Sequence, residues 1–160
     1  MLTEVIDGFD SLDLVSAGQN VRVLSAKFVA GADATVAKKR RLEFDFDELS
    51  DGQRALIALY TLLLCAVRLE STICIDEPDN FIALAEIQPW LFELSDRIDD
   101  EGAQVILVSH HPELINQLAP DHGVRFERIG FGPVRVDPYK RDPGIDLSPS
   151  ELIARGWDRG

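Results

Sequence analysis

The chain has 160 residues, of which 46% are hydrophobic and 28% charged, with a formal net charge of -12. That balance fits one soluble domain, or a large piece of one, with a real core and excludes a disordered tail. The excess of acid argues against non-specific nucleic-acid binding by the chain as a whole, because phosphate backbones repel an acidic surface. Cys65 and Cys74 lie in apolar runs without ligand-like spacing, and read as small buried hydrophobes in a reducing compartment. The start, Met1-Leu2-Thr3-Glu4, shows no secretory pattern. The longest apolar run, Ala55 to Val67, falls short of the roughly 20 residues that span a bilayer. A cytoplasmic protein with no membrane association is expected.

Val21 to Phe28 has strand character, and Arg41 to Phe46 alternates apolar and charged residues. The spacing predicts an antiparallel pair joined by the loop from Gly31 to Arg40. The basic run Lys38-Lys39-Arg40-Arg41 reads as a solvated turn in preference to a DNA contact. Arg54 to Leu69 is apolar nearly all round, which predicts a buried helix. Thr72 to Ile75 has no alternation and predicts a strand covered on both faces. A helix over Ala83 to Ile98 would place Ile87, Trp90, Leu91, Leu94 and Ile98 on one face. Pro89 costs about 3 kcal/mol inside a helix, so a break before Gln88 and a fresh start near Pro89 are expected.

Gln104 to Ser109 predicts a second buried strand, and Pro112 to Leu118 a short helix with proline in its first turn. Val124 to Ile129 and Val134 to Asp137 flank Gly130-Phe131-Gly132-Pro133, the pattern of a hairpin. Residues 138 to 148 read as a surface tether, and Ser148-Pro149-Ser150-Glu151 as the capping box of a terminal helix ending near Gly156. Strands alternating with helices after Arg54 predict an α/β fold with parallel core strands, flanking helices and an antiparallel hairpin. The expected organisation is strands over 1–48, a core over 49–137 and a tether with a short helix over 138–160.

Three polar clusters stand at the ends of these elements. Ser50-Asp51-Gly52-Gln53 opens the first long helix, where a hydroxyl, a bare glycine and free amides suit a phosphate. Plain helix capping explains the same residues, and for this cluster alone it is the better reading. Asp76-Glu77 ends a strand, and adjacent residues of an extended chain point to opposite sides. One carboxylate can hold magnesium through its water shell while the other accepts a proton from water. Isolated acids at a strand end are otherwise ordinary loop residues. His110 ends the next strand and could donate to a terminal phosphate, though a lone histidine is usually structural. His110 is favoured over His111, which falls in the loop before Pro112, and His122 reads as a surface residue of an Asp-His-Gly turn.

The order of the clusters resembles the ABC-type ATPases outside the transporters, including the structural-maintenance-of-chromosomes and RecF-like proteins. The nearest group is the bacterial stand-alone AAA/ABC-like ATPases, some of which work with nucleases in phage defence. The resemblance runs roughly from Val5 to Trp157. It implies a P-loop ATPase fold of which this is the C-terminal half, with Leu49-Ser50-Asp51-Gly52-Gln53 as the signature motif that contacts nucleotide held by a partner subunit. It further implies Asp76 as the magnesium-associated carboxylate, Glu77 as general base, Asp79-Asn80 in the D-loop region and His110 as the switch histidine. The implied cofactors are ATP and Mg2+, and the implied assembly a homo- or heterodimer, with a nuclease or DNA-linked partner possible.

The phosphate-holding Gly-x-x-x-x-Gly-Lys-Ser/Thr loop (Walker A) and the glutamine loop have no counterpart here, and Asp51 stands where transporters usually carry glycine. A Walker A half, lost by truncation or supplied by another chain, is therefore expected. The alternative is a non-catalytic interaction or regulatory module that binds a full-length ATPase or a nuclease without hydrolysing ATP itself.

Overall fold

The computed structural model describes residues 2–30, 40–66, 72–140 and 146–156. Lys38 and Lys39, most of the 31–40 loop, the expected helix end at 67–69, tether residues 141–145 and Trp157 lie outside these. The chain forms two compact units: Met1–Ile73 with Asp79–Ile106, and Cys74–Pro78 with Leu107–Gly160.

In the first unit a short helix, α1 (Leu2–Val5), precedes an antiparallel sheet of β1 (Phe9–Gly18), β2 (Val21–Val29) and β3 (Arg41–Asp45), in that order. The β2–β3 pair forms as the alternation predicts, with Ala26 opposite Phe44 and Phe28 opposite Leu42. β1 is an addition. Its acidic residues and exposed apolar ones hide it from a hydrophobicity count, but Asn20 at φ 63 turns the chain and pairs β1 with β2. Asp13 of β1 also pairs with Lys27 of β2. Phe9, Phe28 and Phe44 meet edge to face at centroid distances of 5.8 and 5.7 Å, a preferred aromatic geometry.

A 3-10 turn over Phe46–Glu48 leads to α2 (Asp51–Cys65). α2 is not buried all round. Leu56, Ile57, Leu59, Tyr60 and Leu63 are buried, whereas Ala58, Leu62 and Cys65 face solvent. Next come β4 (Thr72–Asp76), α3 (Leu84–Glu101) and β5 (Gln104–Val108). No break occurs at Pro89; α3 is continuous through it. The proline sits within the second turn, where it removes one main-chain bond. Ile87, Trp90, Leu91 and Leu94 are buried beside it. The Trp90 indole N–H also donates to the Leu59 carbonyl at 3.1 Å, tying α3 to α2.

β4 and β5 pair and run parallel: Thr72 Oγ1 meets Gln104 Oε1 at 3.1 Å at one end, and Glu77 N–H meets the Val108 carbonyl at 2.7 Å at the other. Neither strand is covered on both faces. Ile73 is buried, but Cys74, Ile106 and Val108 are exposed. Neither cysteine is therefore the buried hydrophobe expected: Cys65 closes a helix on its solvent side, and Cys74 alternates outward between Ile73 and Ile75.

The second unit carries α4 (Pro112–His122), β6 (Val124–Arg128), β7 (Val134–Pro138) and α5 (Pro149–Arg155). α4 runs past Leu118, so His122 is its last residue rather than part of a turn. The hairpin forms as predicted, with Phe126 opposite Val136. α5 starts at the Ser148–Glu151 capping box and ends at Gly156 with φ 67. The Asn116 side chain of α4 accepts from Ser150 N–H at 2.9 Å and docks it. Among the described residues, no helix is long and apolar enough to cross a membrane.

Candidate functional site

The C-terminal ends of β4 and β5 bring two of the expected residues together. The Glu77 N–H extends the strand pairing one residue beyond Asp76 by donating to Val108. Glu77 then takes φ 47, a left-handed conformation that side-chain-bearing residues hold only under constraint, at a cost of about 1–3 kcal/mol. This turn breaks strand alternation after Asp76, and Pro78 follows it, buried. Glu77 Oε1 lies 3.0 Å from His110 Nδ1. The bond has the imidazole Nδ1–H donating to the carboxylate, which leaves Nε2 on a ring whose side chain is 76% exposed. Asp76 is exposed at the end of its strand.

His111 takes a different role from its neighbour. It is the N-cap of α4, its ring accepting from the Glu113 N–H. The His110 ring faces the carboxylate, whereas the His111 ring closes a helix.

Ser50, Asp51, Gly52 and Gln53 belong to the first unit. Ser50 Oγ accepts from Gln53 N–H at 3.2 Å, and Gln53 Oε1 accepts from Ser50 N–H at 3.0 Å. This reciprocal cap accounts for both residue types without any ligand. Asp51 pairs with Arg54 one turn on. Gly52 has a steric reason to be glycine: a Cβ there would stand 2.7 Å from the Phe81 carbonyl oxygen. The turn closed by Ile82 N–H on Asp79 C=O brings that carbonyl onto the helix start. Phe81 itself has φ 68 and is 75% exposed. Hydrophobic patterning misses it; the Asp-Asn pair before it is the only local sign of a turn.

A family model described as "AAA domain, putative AbiEii toxin, Type IV TA system" matches residues 20–116, more than half of the chain. The chain belongs to this AAA domain family. The match makes it a P-loop ATPase-like domain, and the mixed α/β architecture with parallel and antiparallel strands is compatible with that class. The matched stretch of the AAA domain contains all three polar clusters. Among curated proteins, none matches the chain.

Domains of this class use nucleotide with magnesium, an ion that calls for oxygen donors. Among the described residues, no group of three or more His, Cys, Asp or Glu could hold a metal ion. Magnesium at nucleotide sites usually keeps several waters and takes one or two carboxylates plus phosphate oxygens. Asp76, exposed at a strand end, fits one such carboxylate and cannot form a cage alone.

Proposed function

We propose that this chain supplies the water-activating edge of an ABC-type ATPase site that is completed by a Walker A half. The observation that carries the reading is the Glu77–His110 contact of 3.0 Å at the ends of adjacent parallel strands, since ligands in open α/β sheets bind beyond the carboxyl ends of strands. Glu77 is the general base. It takes a proton from water as the water oxygen attacks the terminal phosphorus and the bond to the ADP oxygen breaks. His110 orients that carboxylate through Nδ1, and its Nε2, when protonated, donates to the terminal phosphate. Asp76 would hold magnesium, and the ion would supply positive charge against the phosphates.

In the same reading, Ser50, Asp51, Gly52 and Gln53 at the start of α2 face the phosphates of nucleotide held by the partner. A helix N-terminus favours an anion, and the exposed apolar residues Ile106 and Val108 leave room for a second protein to pack on the sheet. Nucleotide then closes a homo- or heterodimer and hydrolysis releases it, which couples turnover to a conformational switch. A nuclease or DNA-linked partner is the proposed recipient of that switch.

The isolated chain is expected to show little ATP affinity, and adding a Walker A half to restore turnover. Glu77→Gln should then lower the hydrolysis rate by about 10²–10⁴-fold while sparing ATP binding. Turnover indifferent to Glu77→Gln would overturn this reading and favour the non-catalytic interaction module.

A further inference from the structure

We propose that Ser109 and His111 are positioning residues that make His110, rather than its neighbour, the imidazole that meets Glu77; this rests on the reading of Glu77 and His110 as the working pair. Three residues link Val108, whose carbonyl holds the Glu77 N–H, to Pro112 at the start of α4. Within them the Ser109 hydroxyl oxygen accepts from the His111 N–H at 2.9 Å. The His111 Nδ1 in turn accepts from the Glu113 N–H at 3.2 Å.

Those two bonds tie the residues on either side of His110 to the turn and to the helix, and His110 is the exposed residue of the three, its ring against Glu77. Accepting at Nδ1 places the neutral His111 ring's proton on Nε2 and engages the ring with the start of α4. Pro112 adds a fixed φ at the first helical position.

The need for such a device follows from exposure. The His110 side chain is 76% exposed and that of Glu77 40%. An ion pair or hydrogen bond so open to water contributes little to its own geometry. The aim of the ring must come from the backbone that carries it, and that backbone is held by Ser109 and His111. These two residues touch no reacting atom in this scheme and act only through His110.

The test is side-chain nitrogen spectroscopy of the histidine rings in the full chain, compared across His111→Ala, His111→Asn and Ser109→Ala. The wild type should show His110 protonated on Nδ1 and His111 on Nε2. His111→Ala and Ser109→Ala should lose the bonded Nδ1–H state of His110. His111→Asn, whose side-chain oxygen can cap α4 in the same place, should keep it. In the complemented ATPase, His111→Ala should lower kcat about 10- to 100-fold with KM for ATP little changed, and His111→Asn should restore it. A His110 spectrum unmoved by His111→Ala, or an Asn variant as impaired as the Ala one, overturns the proposal. Turnover insensitive to Glu77→Gln counts instead against the functional reading, while the spectra decide the positioning by themselves.

Discussion

Gly52 shows how one hydrogen atom can carry a structural requirement. Replacing glycine by alanine inside a helix ordinarily stabilises by about 0.5–1 kcal/mol. Here the added methyl would stand 2.7 Å from the Phe81 carbonyl oxygen, which is backbone and cannot swing aside. Gly52→Ala is therefore expected to destabilise by about 1–3 kcal/mol, the usual cost of overpacking. A urea midpoint that stays put or rises would show that the Asp79–Phe81 turn gives way freely. In the sequence, this glycine suits access for a phosphate or ordinary capping, because the carbonyl that excludes a side chain comes from residues some thirty positions away. Glu77 is a similar case: its identity stood out in the sequence, but its left-handed backbone did not.

Elements end where local chemistry ends them, and α5 is the clearest example. The Ser148 backbone N–H and hydroxyl donate to the Glu151 carboxylate and hold its pKa below the ordinary value of 4.5. The folded pKa is depressed, so this contribution is complete above 4.5 and is lost as pH falls through the folded value. Amide protection at 150–155, measured against the intrinsic exchange rate at each pH, is expected to fall on acidification below that point, and Ser148→Ala to bring the same loss at a higher pH. Protection that stays flat from about pH 6 to about pH 3 would show that the cap contributes nothing. This cap was legible because all its parts lie within four residues. The continuity of α3 was not, since the penalty at Pro89 is local while its compensation, the burial of Trp90 and Leu91, is tertiary.

At the scale of the whole chain, two properties pull against each other. A net charge of -12 keeps copies apart, whereas Phe126, Phe131, Val134 and Val136 leave an apolar surface on the β6–β7 hairpin. The charge vanishes near the pI of about 4.5, and proteins associate most readily where net charge is lost. Light scattering should therefore peak near that pH, and a double variant, Phe126→Thr with Phe131→Ser, should lower the peak. A solution that stays clear there, or a variant that scatters equally, would mean the hairpin surface does not drive association.

The residues alone were enough to specify the parallel β4–α3–β5 crossover, the hairpin, the capping box of α5 and the order of the three polar clusters. Each of these depends on spacing within one element or between neighbours. Contact between Glu77 and His110, the left-handed turn that allows it, the burial that carries α3 through Pro89 and the outward faces of Cys74, Ile106 and Val108 depend on tertiary structure. A periodic pattern states which side chains share a face, but not whether anything covers that face. Only the packing of segments distant in sequence decides that.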